Sequence, residues 1–177
     1  MQVRAKKALG QHFLKDLDIA KKIADSIETS QLPENARQWG SLPVVEVGPG
    51  MGVLSQFLIK SGRDVKAIEL DSESVEFLHK VYPDLQVLEG DFLKMDLSDI
   101  FRNEFALIGN YPYNISSQIF FKVLDYKEKI PVVAGMLQKE VAQRICCKPG
   151  FVSKPSLRAW SIYGQCLKLQ GLHLYRI

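Results

Sequence analysis

The sequence predicts an α/β protein built on a doubly wound parallel sheet. Two observations carry this. Short apolar runs, PVVEV (43–47), VKAIEL (65–70), LQVLEG (85–90), FALIGN (105–110) and PVVAGMLQ (131–138), read as buried strands. Between most of them lie segments with helical spacing of apolar residues, and strands alternating with helices imply a parallel sheet.

The elements follow in order. Over 17–29, Ile19, Ile23 and Ile27 stand four apart with Ala20 and Ala24 beside them, which predicts a helix with one apolar face. Strand 43–47 ends in a glycine turn, Gly48 to Gly52. Val53, Leu54, Phe57 and Leu58 then read as a helix closed by Gly62. A third helix, Ser72 to Lys80, must stop before Pro83. Ile115, Ile119, Phe120, Val123 and Leu124 mark a fourth, and a helical run is expected near Lys139–Cys146.

The chain has 177 residues, 46% hydrophobic and 24% charged, which fits one domain with a sizeable core. A net charge of +3 excludes a polycationic tail and shifts attention to charge placement. Arg4, Lys6 and Lys7 cluster in the opening VRAKK, either as a solvated end or as a phosphate contact. Three cysteines, two of them adjacent (Cys146 and Cys147), do not make a disulfide framework and fit a reducing compartment. His12, His79 and His173 are scattered, so no zinc site and no metal is expected. No signal peptide and no apolar run of membrane-spanning length is visible, so the expectation is a soluble, cytoplasmic protein with no membrane partner.

Ligands of open α/β sheets bind beyond the carboxyl ends of the strands. The first end reads EVGPGMG, where Gly48, Gly50 and Gly52 allow a tight turn and close approach of a ligand. The spacing is G-x-G-x-G, with Val53 where a dinucleotide fingerprint has its last glycine, which disfavours a dehydrogenase. At the second end Glu69, 17 positions beyond Gly52, is placed to accept hydrogen bonds from ribose hydroxyls. At the third, Asp91 can accept from an adenine amino group, or simply cap its own turn. Together the three suit S-adenosylmethionine, which lacks a pyrophosphate.

The fourth end reads GNYPYNIS. Methyl transfer to the exocyclic amine of adenine needs help, because that nitrogen's lone pair is delocalised into the ring. Acceptors for the amine hydrogens would help, and so would a clamp that holds the base in line. The Asn110 side chain and the carbonyl of Tyr111 or Pro112 are candidate acceptors. Pro112 fixes the backbone, and the ring of Tyr113 can stack on a base taken out of its helix. No general base is required. The alternative is a turn whose aromatics pack on the core.

With these residues in hand, the chain resembles the adenine-N6 dimethyltransferases of ribosomal RNA, and within them the small-subunit, kasugamycin-sensitivity branch. KKALGQHFL (6–14), EVGPGMG, IELD, EGDF, NYPYNIS and MLQKEVAQR (136–144) match the family's motifs in order, covering residues ~4–150. The resemblance implies a Rossmann-like S-adenosylmethionine-dependent methyltransferase fold. It places cofactor contacts on Gln11, His12, Leu14, Gly48, Gly50, Glu69, Asp91 and Asn110. Asn110, Pro112 and Tyr113 would hold the target adenine. It implies dimethylation of two adjacent adenosines in the 3′-terminal hairpin loop of small-subunit rRNA, during ribosome biogenesis. Single-stranded loop bases are the kind a protein can splay out. Arg4, Lys6 and Lys7 then become RNA-binding candidates. The small-subunit precursor is the expected partner, met by a monomer. The sister branch, which dimethylates large-subunit rRNA and confers macrolide resistance, usually has G-S-G-K-G in its first motif, so Pro49 and Met51 favour the small-subunit branch. A non-catalytic RNA-binding or truncated product is the alternative from another class.

The resemblance ends after Gly150. Residues 151–177 are expected to be a divergent or aberrant tail without strand alternation. The family's sixth and seventh strands and C-terminal helical domain are expected to be missing. The sheet would then be incomplete, with its fifth strand as an exposed edge.

Overall fold

A computed structural model describes residues 14–28, 34, 40–138 and 141–142, and the backbone of 172–176. The strands are β1 (Val44–Val47), β2 (Val65–Glu69), β3 (Gln86–Glu89), β4 (Ala106–Asn110), β5 (Val132–Leu137) and β6 (Leu172–Arg176). The helices are α1 (Leu17–Asp25), α2 (Ser55–Lys60), α3 (Ser72–Val81) and α4 (Ser116–Asp125). All five strand expectations and the four helix expectations before residue 130 are met within a few residues. Of the expected run near 139–146, Val141 and Ala142 are helical and the remainder lies outside the described residues.

The sheet order is β3-β2-β1-β4-β5-β6, and every pairing is parallel. This is the doubly wound order, in which the chain leaves β1 toward β2 and later returns to its other side at β4. Helices cover both faces. On one, Val44, Ala67, Ala106, Ile108 and Val132 pack under Ile23 and Ile27, Leu54 and Leu58, and Leu78. On the other, Val45, Val47, Leu107 and Val133 pack under Ile119, Phe120 and Val123 of α4. Phe92, Leu97, Phe101 and Phe105, from the β3–β4 connection and its end, complete that face. Central strands buried on both sides explain why β4 and β5 read as near-continuous apolar runs, and β1 as one broken only by Glu46, rather than as alternating ones.

Local chemistry sets the helix limits. The Asp16 side chain accepts from the N–H groups of Asp18 and Ile19 at 2.9 and 3.1 Å and starts α1. Gly62, at φ +75°, follows the end of α2 as its position predicts. Arg63 then ties α1 to the sheet. Its guanidinium donates to the carbonyls of Ile27 (3.0 Å), Leu42 (3.1 Å) and Gly40, and reaches Glu28 Oε1 at 3.3 Å.

The expectation of five strands is corrected. β6 lies parallel on β5, with Val133 opposite Leu172 and Leu137 opposite Arg176, so β5 is not an edge. LHLYR was unreadable as a strand because five residues after a run with no helical or turn pattern give too little periodicity to register. Among the described residues the sheet still lacks a seventh strand, and in that sense it is incomplete.

Candidate active site

The site is built where four neighbouring strands end, in the order β3, β2, β1, β4. Each ladder runs one residue past its strand before the chain turns away. Gly48 N–H donates to Ile68 O at 2.9 Å, Gly90 N–H to Glu69 O at 2.8 Å, and Tyr111 N–H to Met136 O at 3.2 Å. The rim is therefore level, and the side chains on it are held by the sheet itself.

Gly48, Gly50 and Gly52 have φ of +67°, +55° and +74°, a region that side-chain-bearing residues rarely enter. The turn closes through Gly52 N–H to Pro49 O at 2.9 Å. A Cβ on Gly52 would strike the Tyr82 ring, so that glycine is demanded by packing as well as by backbone angle. A Cβ on Gly48 would meet only Pro112, at 3.8 Å. The first and fourth strand ends are thus in van der Waals reach of each other.

Glu69 is 4% exposed. Its Oε2 accepts the Gly50 N–H at 3.0 Å and its Oε1 accepts the Asp71 N–H at 2.9 Å. A carboxylate has about four acceptor sites, so it can hold the glycine turn and still have capacity to accept from a ribose hydroxyl. Burial raises its pKa; the N–H groups of Asp71, Gly50 and Leu70 oppose the rise, and the Asp71 charge adds to it.

Asp91 Oδ1 accepts the Leu93 N–H at 2.9 Å, and its Oδ2 lies 3.5 Å from the exposed Lys94 Nζ. This is the turn-capping arrangement that the sequence left open beside the adenine role. Asn110 ends β4 opposite Met136. The Pro112 carbonyl is taken by Ile115 N–H at 3.2 Å and that of Tyr113 by Ser116 Oγ at 3.3 Å. Of the two backbone acceptors considered for the target amine, Tyr111 O has the greater spare capacity, since it accepts nothing from the described residues. Pro112 and Tyr113 are half-buried at the rim. Leu14 is half-buried against the α1 side of the core. Gln11, His12, Arg4, Lys6 and Lys7 lie outside the described residues.

Two groups at the site escaped the sequence reading. Glu46 was noted only as part of EVGPGMG. It is 1% exposed in β1, and its Oε2 and the Ser55 Oγ are both buried with no hydrogen-bond partner among the described residues. Burial pushes the Glu46 carboxyl up to about 8; the Ser55 hydroxyl opposes this without reaching bonding geometry, and Glu69 adds to it. An acidic residue inside an otherwise apolar strand was the available signal. The second is the Tyr111 side chain, 1% exposed, whose hydroxyl donates to Ala134 O at 2.8 Å.

No described helix is long and apolar enough to cross a membrane. Among the described residues no group of three or more His, Cys, Asp and Glu could hold a metal ion.

A parallel sheet of this order, with a glycine turn after β1 and a buried acid after β2, is the Rossmann-like methyltransferase fold. Residues 2–163 match the ribosomal RNA adenine dimethylase family, and the chain belongs to that family. The chain is 59% identical over 150 residues to the ribosomal RNA small subunit methyltransferase A of Parabacteroides distasonis, covering 84% of this chain and 53% of that protein. To the protein of the same name from Bacteroides thetaiotaomicron it is 57% identical over 151 residues, covering 84% and 53%. The chain thus spans about half the length of the curated relatives it matches. Among solved structures, a dimethyladenosine transferase from Plasmodium falciparum superposes with a TM-score of 0.61 at 28% identity, covering 84% of this chain and 51% of that one. The 23S rRNA methyltransferase ErmE superposes with a TM-score of 0.58 at 29% identity, covering 75% and 50%.

Proposed function

We propose that the chain carries the cofactor-binding and methyl-transfer half of a small-subunit rRNA adenine N6-dimethyltransferase, within a domain spanning residues 1–150. The observation that carries this reading is the Glu69–Gly50 hydrogen bond one strand away from the Asn110–Tyr113 turn. It supports a ribose acceptor, a glycine cradle and an amine acceptor that share one rim. The naming of relatives at 54–59% identity as small-subunit enzymes supports that target over the large-subunit one.

The residues present fit S-adenosylmethionine: glycines that leave room for a ligand, and a carboxylate with acceptor capacity to spare. Gly48, Gly50, Glu69 and Asp91 would hold it, together with Gln11, His12, Leu14 and Asn110. When bound, it supplies a methyl group on a cationic sulfur that leaves as a neutral thioether. The chain's own work is on the amine. The Asn110 side-chain oxygen and the Tyr111 carbonyl accept the N6 hydrogens, which localises the lone pair on nitrogen as it attacks the methyl carbon. Tyr113 stacks on the base and Pro112 keeps the turn rigid, so the attack is in line. The proton that N6 sheds after the carbon–nitrogen bond forms passes to solvent, because an alkylated ammonium is acidic enough to need no buried base. Arg4, Lys6 and Lys7 contact RNA phosphates.

The test has two stages. Calorimetric titration with S-adenosylmethionine should give one site per chain, and labelled-methyl transfer to unmethylated small subunits should follow. Cofactor binding without transfer would favour a non-catalytic RNA-binding protein. No binding would remove the reading.

A further inference from the structure

Tyr111 stands between Asn110 and Pro112, among the residues assigned to the target base, yet its side chain turns away from the rim. Its ring lies against Gly109 and Gly135, which face each other across β4 and β5. A Cβ on Gly109 would come within 3.1 Å of the ring, and one on Gly135 within 2.5 Å. Gly135 also takes φ +151°. The two glycines thus leave a slot of the ring's thickness. Phe120 of α4 closes it edge-on, with ring centroids 5.6 Å apart and planes at 67°. The hydroxyl is tied to Ala134 O at 2.8 Å, and the backbone N–H to Met136 O at 3.2 Å. Tyr111 is thereby fixed to β5 from both its main chain and its side chain.

We propose that Tyr111 is a positioning residue for methyl transfer: its ring, slotted over Gly109 and Gly135, fixes where the Asn110 side chain and the Tyr111 carbonyl meet the target amine. The claim rests on the proposed function. The logic is geometric. Both acceptors are within one residue of the ring, so a rotation that lets the ring settle differently swings both. Of the proposed cofactor contacts only Asn110 lies on β4; the glycine turn after β1 and Glu69 on β2 are held by their own hydrogen bond.

Two variants separate the parts. Tyr111→Phe keeps the ring and removes the tie to Ala134; Tyr111→Leu leaves the slot unfilled. Both should bind S-adenosylmethionine at full stoichiometry, with Kd weakened far less than the transfer rate, because Asn110 is one of several proposed contacts. At saturating cofactor and RNA, the single-turnover rate should fall ~10²-fold in Tyr111→Leu, the scale of a misplacement of about 1 Å, and much less in Tyr111→Phe. A Tyr111→Leu rate equal to wild type overturns the proposal. So does a rate loss matched by lost binding stoichiometry, which would mark a merely structural role. If the wild-type chain transfers no methyl, the proposed function fails instead, and amide exchange then judges positioning. Protection over 109–116 should drop in Tyr111→Leu while that of β2 is kept, and equal protection over 109–116 overturns the proposal.

Discussion

The Gly50 N–H donates to Glu69 Oε2 across 3.0 Å, joining the turn after β1 to the end of β2. One carboxylate therefore shapes the glycine turn and, in the proposed function, also accepts from the cofactor. Glu69→Gln keeps the size but sets an amide N–H₂ against one of two backbone N–H donors, and one contact must break. Hydrogen bonds to a charged group are worth ~1.5–3 kcal/mol, so S-adenosylmethionine binding should weaken by ~10- to 10²-fold, read by calorimetry.

The same residue gives a pH dependence. Burial raises the Glu69 pKa above the ordinary carboxylate value. The acceptor form exists above that pKa, so cofactor affinity should fall on acidification, and should start to fall at a higher pH than an exposed carboxylate would allow. Calorimetric Kd values for wild type and Glu69→Gln at stepped pH check this, because the variant should lose the dependence.

Glu46 predicts a trend in stability. Its pKa rises from 4.5 to about 8 on folding. The folded chain holds the proton more tightly, so this group's contribution is full below 4.5 and is lost as pH rises toward about 8. The slope is at most about 1.4 kcal/mol per pH unit. Glu46→Gln, which carries no proton to lose, should gain on wild type across that window and hold a constant advantage above it. Urea titrations of both proteins through the window measure the difference.

What was legible in the sequence was whatever rests on local pattern. The apolar runs of β1, β4 and β5 and the four-residue spacing in α1 are periodicities of burial, and a doubly wound order follows from their alternation. The glycine turn and Glu69 were legible because their spacing is imposed by a strand and a helix of nearly fixed length. The roles of Tyr111 and Gly135 were not, because they arise between strands 23 residues apart in sequence. Nothing in NYPY says which tyrosine turns inward. The structure sends Tyr111 to the core and leaves Tyr113 at the rim: Tyr111 still pairs with β5 through its N–H to Met136 O, whereas Tyr113 already lies in the turn closed by Ile115 N–H to Pro112 O. Of the two readings of the motif, packing on the core holds for Tyr111, and Tyr113 at the rim is the residue left for the proposed base clamp.

Asn110 supplies the most direct test of chemistry. Asn110→Ala removes an acceptor that matters most as the amine nitrogen becomes tetrahedral. The methyl-transfer rate should fall ~10²-fold or more, as for loss of a transition-state hydrogen-bonding group. Unchanged turnover in a labelled-methyl assay would remove Asn110 from the mechanism.

Arg63 should dominate stability on the side of the fold opposite the site. Its side chain is only 8% exposed and serves the carbonyls of Ile27, Gly40 and Leu42 as well as Glu28. These carbonyls belong to the chain leaving α1 and the chain approaching β1, so one planar cation organises both. Arg63→Lys keeps the charge but replaces a rigid fork with a single ammonium that cannot span three carbonyls and a carboxylate. Arg63→Ala strands all of them. Each unsatisfied buried carbonyl costs ~1–3 kcal/mol, so Arg63→Ala should lower stability by a few kcal/mol and Arg63→Lys by about half as much. Urea unfolding should show this as a reduced midpoint with an unchanged slope. Cofactor affinity measured well below the transition should stay at the wild-type value, because Arg63 touches none of the strand ends that carry the site.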